Sequence, residues 1–152
     1  MKGNWTKRWL ELANTVATWS KDPSTQVGCV IVDKRNVVLS LGWNGLPRGV
    51  EDKRKEERHE RPEKYFWYEH AERNAIYNAA STGRSLEGSV LYCNLFPCAD
   101  CARGIIQSGI KSVVVKNSVK PKQDWEESFK RSLAMFEEAE VEVFVYSEHE
   151  VI

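Results

Sequence analysis

The sequence contains no long uninterrupted apolar run. Its first twenty residues, MKGNWTKRWLELANTVATWS, set Lys, Arg and Glu among the apolar positions. That leaves neither the apolar stretch of a secretory signal nor the roughly 20 apolar residues of a membrane-spanning helix. A cytoplasmic location with no membrane partner is the expectation. Cysteine is sparse, four in 152 residues, so a disulfide framework is not expected. In reducing surroundings a close Cys pair points instead to metal binding or redox chemistry. Charge of neither sign is in excess, because 22 Lys and Arg balance 22 Asp and Glu. Neutralising many phosphates calls for a basic surplus, so a long nucleic-acid partner is not expected, although an average can conceal a local patch. Internal repeats and low-complexity segments are absent too. With 41% apolar residues, the length suits one domain spanning 1–152 around its own core.

What is present reads as alternating helices and strands. Trp5, Trp9, Leu12, Val16 and Trp19 recur at steps of three and four, which predicts a helix with one apolar face against a sheet. VGCVIVD and NVVLSLG, separated by Lys34 and Arg35, predict a hairpin, and GWNG at 42–45 ends its second strand in turn residues. Residues 50–65, VEDKRKEERHERPEKY, carry mixed charge and little to bury; they predict a solvated excursion with His59 on its surface. Beyond it, HAERNAIYNAASTG predicts a helix ending at Gly83, SVLYCNLF a strand, CADCARGIIQSG a helix closed by Gly109, and KSVVVKN a strand. Trp125, Phe129, Leu133 and Phe136 mark an apolar helical stripe. In a last strand Val141, Val143 and Val145 alternate with Glu142, Phe144 and Tyr146. The order αββαβαβα followed by β gives an α/β fold: a mixed five-stranded sheet with helices on both faces, in three α/β/α layers. Cys29 and Cys93 fall inside predicted strands, where a small buried apolar role fits them.

The stretch LFPCADCARG, 95–104, raises the chemical question. Taken alone, Cys98 and Cys101 at a helix start read equally as a redox pair or as two metal ligands. Their surroundings decide. A redox pair is expected after the first strand of its fold, whereas this pair follows a later strand and has a second polar cluster, EHAERN, upstream. One His and two Cys presented by two helix starts supply three donors of a tetrahedral zinc site, with the fourth position left for catalysis. The partial positive charge of a helix start lowers thiol pKa values, and Pro97 suits the approach to such a helix. Glu72, two residues beyond His70, is better placed as a proton carrier than as a fourth ligand. The pattern H-x-E with P-C-x-x-C is a known signature of zinc-dependent nucleobase deaminases.

With HAE and PCADC in place, the chain resembles the cytidine deaminase superfamily, and more closely its deoxycytidylate deaminases, including phage or viral-type members. The stretches that carry the resemblance are SKDPSTQVGCVIVD, GWNG, HAERNAI and LFPCADCARGIIQSGIKSVVV. GWNG stands where the family typically has Gly-Tyr-Asn-Gly, and the long charged insertion before HAE is similar to the family as well. The resemblance implies a cytidine deaminase-like fold, His70, Cys98 and Cys101 as zinc ligands, and Glu72 as proton shuttle. It implies hydrolysis of dCMP to dUMP, which supplies the precursor of dTMP. It also implies a homo-oligomer, commonly a hexamer, activated by dCTP and inhibited by dTTP with Mg²⁺. No Cys/His cluster matches the additional structural zinc site of some phage members.

Substrate contacts are expected at several places. Asn44 resembles the superfamily asparagine that hydrogen-bonds the sugar, although Asn-Gly is also an ordinary turn pair. Backbone near Ala71 offers unpaired first-turn N–H groups to the base. Lys21, Ser24, Thr25 and Gln26 offer donors to a 5′-phosphate, with Lys21 reading equally as a solvated side chain. For an effector triphosphate the candidates are Gly42, Trp43, Gly45 and Asn74, with Arg54, Arg58 and Arg61 of the charged insertion, a stretch that also reads simply as a soluble loop. Two other functions compete: a deaminase of tRNA or single-stranded DNA, disfavoured by the neutral charge and the long insertion, and a non-catalytic zinc module, disfavoured because structural zinc usually has four protein ligands.

Overall fold

Runs of β-branched residues between turn signals build the sheet, and the helices that flank it are read from their apolar stripes. The computed structural model describes residues 4–53, 55–116 and 123–147. Along the chain these form α1 (Trp5–Ala17), β1 (Gly28–Val32), β2 (Val38–Trp43), α2 (Lys55–Arg58), α3 (Lys64–Trp67), α4 (Ala71–Ser81), β3 (Val90–Cys93), α5 (Ala99–Gln107), β4 (Ser112–Lys116), α6 (Gln123–Glu138) and β5 (Glu142–Tyr146). The predicted order holds, with α2 added inside the charged insertion and α3 at its end. Among the described residues, no helix is long and apolar enough to cross a membrane.

The five strands lie in the order β2-β1-β3-β4-β5. β1 is antiparallel to both β2 and β3, while β3, β4 and β5 run parallel. The β1–β2 turn is held by Asp33, whose carboxylate accepts from the N–H groups of Arg35 and Val37 at 2.8 and 3.1 Å. Parallel neighbours need a crossover, and α5 and α6 supply the two that join β3 to β4 and β4 to β5.

Alternation along the strands divides the core between two faces. Val30, Val32, Tyr92 and Val114 meet Leu10, Ala13 and Val16 of α1. On the opposite face Cys29, Ile31, Leu91, Cys93, Val113 and Val115 meet Ala71, Ala75 and Ala79 of α4, Ala102 and Ile105 of α5 and Phe136 of α6. Cys29 and Cys93 stand opposite each other, fully buried, as small apolar residues. Two glycines set how closely helices approach. A Cβ on Gly28 would lie 2.1 Å from the Ala13 carbonyl oxygen, and one on Gly42 would lie 2.3 Å from that of Ala71. Gly28 thus seats α1 on one face, and Gly42 seats the start of α4 on the other.

The apolar stripes run differently from the prediction in three places. On α1 the buried residues are Leu10, Ala13, Val16 and Ala17, while Trp5 and Trp19 are exposed. Small residues at the centre of the face bring the helix down onto the strands, which leaves the large indoles at its margins. On α6 Leu133 is exposed, whereas Ser132 beside it is fully buried, its hydroxyl donating to the Ser128 carbonyl at 3.1 Å. On β5, Phe144 and Val145 are both exposed, because β5 is an edge strand.

Backbone-to-backbone approach at Gly28 leaves no room for a methyl group. Gly28→Ala is expected to destabilise the fold by about 1–3 kcal/mol, the ordinary cost of overpacking a core. Gly45→Ala meets nothing within 4 Å and is expected to stay within about 0.5 kcal/mol of the parent. Urea unfolding midpoints of the two variants measure the difference.

Candidate metal centre and cavity

Two helices begin at the same point. His70 occupies the N-cap of α4 and Cys98 the N-cap of α5, both with extended backbone, and neither side chain caps its own helix by a hydrogen bond. Cys101 follows on the first turn of α5, and Pro97 precedes the cap rather than opening the helix. Arg73 ties the two starts together, pairing with Glu69 at 2.7 Å and reaching Asp100 of α5 at 3.8 Å. From α6, Ser128 accepts the Ala99 N–H at 2.8 Å, and the Trp125 ring stands 6.3 Å from that of His70.

The three side chains converge. Nδ1 of His70 is 3.3 Å from the Cys98 sulfur and 3.4 Å from that of Cys101, and all three donor atoms lie within 4.8 Å of one another. A zinc ion with ordinary Zn–N and Zn–S bonds at tetrahedral angles holds nitrogen and sulfur about 3.5 Å apart. The donor set therefore fits zinc in spacing and in chemistry. Among the described residues no fourth His, Cys or carboxylate joins the cluster, as suits a site whose remaining position belongs to a non-protein ligand.

The electrostatics agree. Cys98 has its pKa lowered to about 4 by a hydrogen bond from Cys101, with His70 beside it adding to the effect. Cys101, the donor of that bond and itself buried, is pushed up. His70 is raised, chiefly by its hydrogen bond to Cys98. Glu72, 4% exposed, is raised by burial. A carboxyl group that is buried, outside the ligand cluster and on the first turn of α4 is suited to holding a proton and passing it on.

His70, Ala71, Glu72 and Cys98 open onto a cavity of about 260 Å³. Its apolar walls are Leu95, Phe96, Trp125, Phe129, Tyr65 and Tyr68; its polar wall is Asp22, Ser24, Thr25, Asn44, Lys64 and Arg61. Asp22 organises that wall. It accepts from the N–H and hydroxyl of Ser24, from the N–H of Thr25 and from the Asn44 amide. It also pairs with Lys64 at 3.0 Å, with both side chains buried. Burial raises the Asp22 carboxyl, but these hydrogen bonds outweigh it and hold the group below its ordinary value.

Of the expected substrate residues, the fold brings Asn44, Ala71, Ser24 and Thr25 to the cavity. Lys21 lies outside this wall, exposed and paired with Asp52, and the Gln26 amide donates to the Ser20 carbonyl at 2.8 Å. The residues expected at an effector site divide. Trp43 and Gly45 line a second cavity of about 270 Å³, which shares Asn44 and Tyr68 with the first. Gly42 is packed against α4, Asn74 donates to the Trp43 carbonyl at 2.8 Å, and Arg58 lies 4.1 Å over the Trp67 ring. Arg61 lines the first cavity, and Arg54 lies outside the described residues.

The charged insertion departs from the expectation of a solvated loop. His59 is buried, its ring nitrogens bonded to the Tyr68 hydroxyl and the Asp52 carbonyl, and Lys64 is buried against Asp22. Burial pushes the Tyr68 hydroxyl up to about 12, with Asp22 and Asp52 adding to it. Sequence reasoning passed over Asp22, Lys64, Tyr65 and Tyr68 because their partners are distant along the chain. The aromatic run KYFWY beside HAE was the one signal for them.

Residues 3–117 match the family model described as the cytidine and deoxycytidylate deaminase zinc-binding region. Among curated proteins, the chain is 44% identical over 144 residues to an uncharacterized deaminase in the luxG 3′ region of Aliivibrio fischeri, covering 94% of each. It is 47% identical over 109 residues to a probable deoxycytidylate deaminase of Caenorhabditis elegans, covering 70% of this chain and 54% of that protein, so it spans about half of that relative's length. Among solved structures, the dCMP deaminase of cyanophage S-TIM5 in complex with dCMP and dUMP superposes with a TM-score of 0.77 at 26% identity, over 96% of this chain and 99% of that one.

A cluster of three protein donors loses its metal when one is removed. Cys98→Ser and Cys101→Ser are each expected to lower bound zinc from about one equivalent to near zero and to reduce the melting temperature, whereas Glu72→Ala retains the metal. Elemental analysis of the dialysed proteins, with thermal melts alongside, reads both effects.

Proposed function

The chain belongs to the cytidine and deoxycytidylate deaminase family, and on that footing we propose that it hydrolyses dCMP to dUMP and ammonia as a single domain. The observation that carries the reading is a His70–Cys98–Cys101 cluster beside a buried carboxyl that is not part of it, with His70, Cys98 and that carboxyl on the wall of one cavity. Likeness to a dCMP deaminase of known structure, along nearly the whole chain, supports the nucleotide substrate.

A zinc ion held by His70, Cys98 and Cys101 supplies Lewis acidity that makes water nucleophilic near neutral pH. Glu72 takes one proton of the attacking water and delivers it to N3 of the cytosine ring, then takes the remaining proton from the hydroxyl now on C4 and delivers it to the amino group, which leaves as ammonia as the C4 carbonyl forms. At the start of α4 the Ala71 backbone offers an N–H to the base. The Asn44 amide hydrogens are committed to the Thr25 carbonyl and Asp22, and its Oδ1 accepts from the Val27 N–H. One lone pair of Oδ1 remains to accept from a sugar hydroxyl. Leu95, Phe96, Trp125 and Phe129 give the base an apolar enclosure that keeps bulk water from the reacting carbon.

The finer parts of the reading concern control and setting. The enzyme supplies the dTMP precursor in pyrimidine metabolism, works in the cytoplasm as a homo-oligomer, a hexamer, and is activated by dCTP and inhibited by dTTP with Mg²⁺. Support for control is the second cavity, whose wall of Trp43, Asn44 and Gly45 adjoins the substrate cavity through Asn44 and Tyr68.

The test is ammonia release by the zinc-loaded protein from dCMP, CMP, deoxycytidine, dCTP and single-stranded DNA, each with and without dCTP or dTTP plus Mg²⁺. Preference for dCMP, tuned by the triphosphates, is expected. Unregulated turnover of free deoxycytidine, or a preference for the polynucleotide, sinks the reading. Glu72→Gln is expected to lower turnover of dCMP by about 10²–10⁴-fold, the ordinary contribution of a positioned proton carrier, with zinc still bound.

A further inference from the structure

The charges around the substrate cavity do not all remain available to a ligand. Lys64 directs its three ammonium hydrogens at protein acceptors: the two carboxylate oxygens of Asp22, at 3.2 and 3.0 Å, and the Ser24 hydroxyl at 2.7 Å. It is a buried, saturated and neutralised cation. Glu72 stands at the metal end. Of the charged groups that line the cavity, Arg61 is left, and among the described residues it has no carboxylate partner.

The backbone that carries the exposed Arg61 is also held in place. It lies between two buried anchors of an otherwise exposed segment, His59 and Lys64. The first is tied to Tyr68 and the Asp52 carbonyl, the second to Asp22 and Ser24. The backbone between them is closed by the Lys64 N–H donating to the Glu60 carbonyl at 2.8 Å and the Tyr65 N–H donating to the Pro62 carbonyl at 3.2 Å. A guanidinium on such a frame, beside a wall that is otherwise aromatic or charge-compensated, is a forked donor for a phosphate.

We propose that Arg61 is the residue that selects a 5′-phosphorylated cytosine nucleotide over the corresponding nucleoside. This rests on the substrate reading above and replaces Lys21 and Gln26 as phosphate contacts, since neither lines the cavity. On the same wall the Thr25 hydroxyl remains as a neutral donor, whereas the N–H and hydroxyl of Ser24 are committed to Asp22. Asp22 and Lys64 act through the turn that these two residues form, as positioning residues.

The experiment compares Arg61→Ala and Arg61→Lys with the parent, all loaded with zinc. Binding of dUMP and of deoxyuridine is measured by calorimetry, and kcat and KM are measured on dCMP. For Arg61→Ala, dUMP affinity is expected to fall and the dCMP KM to rise by about 10- to 100-fold, as for loss of charge-assisted hydrogen bonds to a phosphate. Deoxyuridine affinity and kcat stay within about threefold. Arg61→Lys keeps the charge without the fork and recovers part of the loss. The proposal is overturned if Arg61→Ala binds dUMP as tightly as the parent, or if it loses dUMP and deoxyuridine affinity equally. Absence of ammonia release from dCMP by the parent enzyme counts against the substrate reading instead, and the dUMP isotherms still decide the role of Arg61.

Discussion

Two helices can aim their N-termini at one point only if their axes approach closely at that end and each chain arrives there in extended conformation. Both conditions are met by small residues and by caps. Gly42 lets β2 touch the backbone of α4 at Ala71 and Ala75, and the alanines at 71, 75 and 79 keep that helix low on the sheet. β3 delivers Cys98 at the start of α5, and β1, lying between β2 and β3, fixes the lateral distance. The metal cluster is thus a consequence of sheet order and helix height, with no ligand borne on a free loop. Fields from two helix starts add at this point and favour a thiolate at Cys98, with Cys101 as the thiol that donates to it, so the geometry that gathers the donors also places a negative charge among them.

The opposite wall of the cavity is organised by another device. A buried ion pair is poor evidence of net stability, because desolvating both charges offsets most of their attraction. Asp22 and Lys64 instead specify conformation. The carboxylate closes the turn at Ser24 and Thr25, orients the amide of Asn44 and fastens the insertion at Lys64, all with its two oxygens. Losing either partner would leave an uncompensated charge in the wall, so the pair makes one arrangement of three chain segments much more favourable than any alternative. The segment before α4 then acts as part of the site, despite a composition that resembles a solvated linker.

How much of this was legible follows from the range of the interactions involved. The cluster was readable because H-x-E and C-x-x-C are local patterns on helix starts, where spacing along the chain fixes geometry. The order of elements along the chain was readable because β-branched runs alternate with helical stripes, whereas the order of strands in the sheet came from the structure. Periodicity misjudged Trp5, Trp19 and Leu133, since it locates an apolar face but not its depth, and here alanines and serines occupy the deepest positions. The burial of Lys64 depends on Asp22, 42 residues earlier, and that of His59 on Tyr68 and a backbone carbonyl. Nothing in a run such as KRKEERHERPEK marks which charge will find a buried partner. Trp43 and Gly45 were singled out through resemblance, and it is the fold that separates the cavity they line from the one that holds the metal cluster.

The two walls also differ in how they respond to change. At the metal end every functional atom sits on a cap or first turn packed against the sheet, so a substitution there disturbs the core as well as the chemistry. The polar wall is joined through side-chain hydrogen bonds among a turn, a strand end and the insertion, and its outermost residue, Arg61, contributes a charge without contributing burial. Change at the metal end is therefore bound to the stability of the fold, whereas Arg61 can change at little structural cost; on the proposed reading, reaction type follows the first and choice among cytosine substrates the second. On the same proposed reading, proton chemistry stays at Glu72 while the insertion determines what is presented to it.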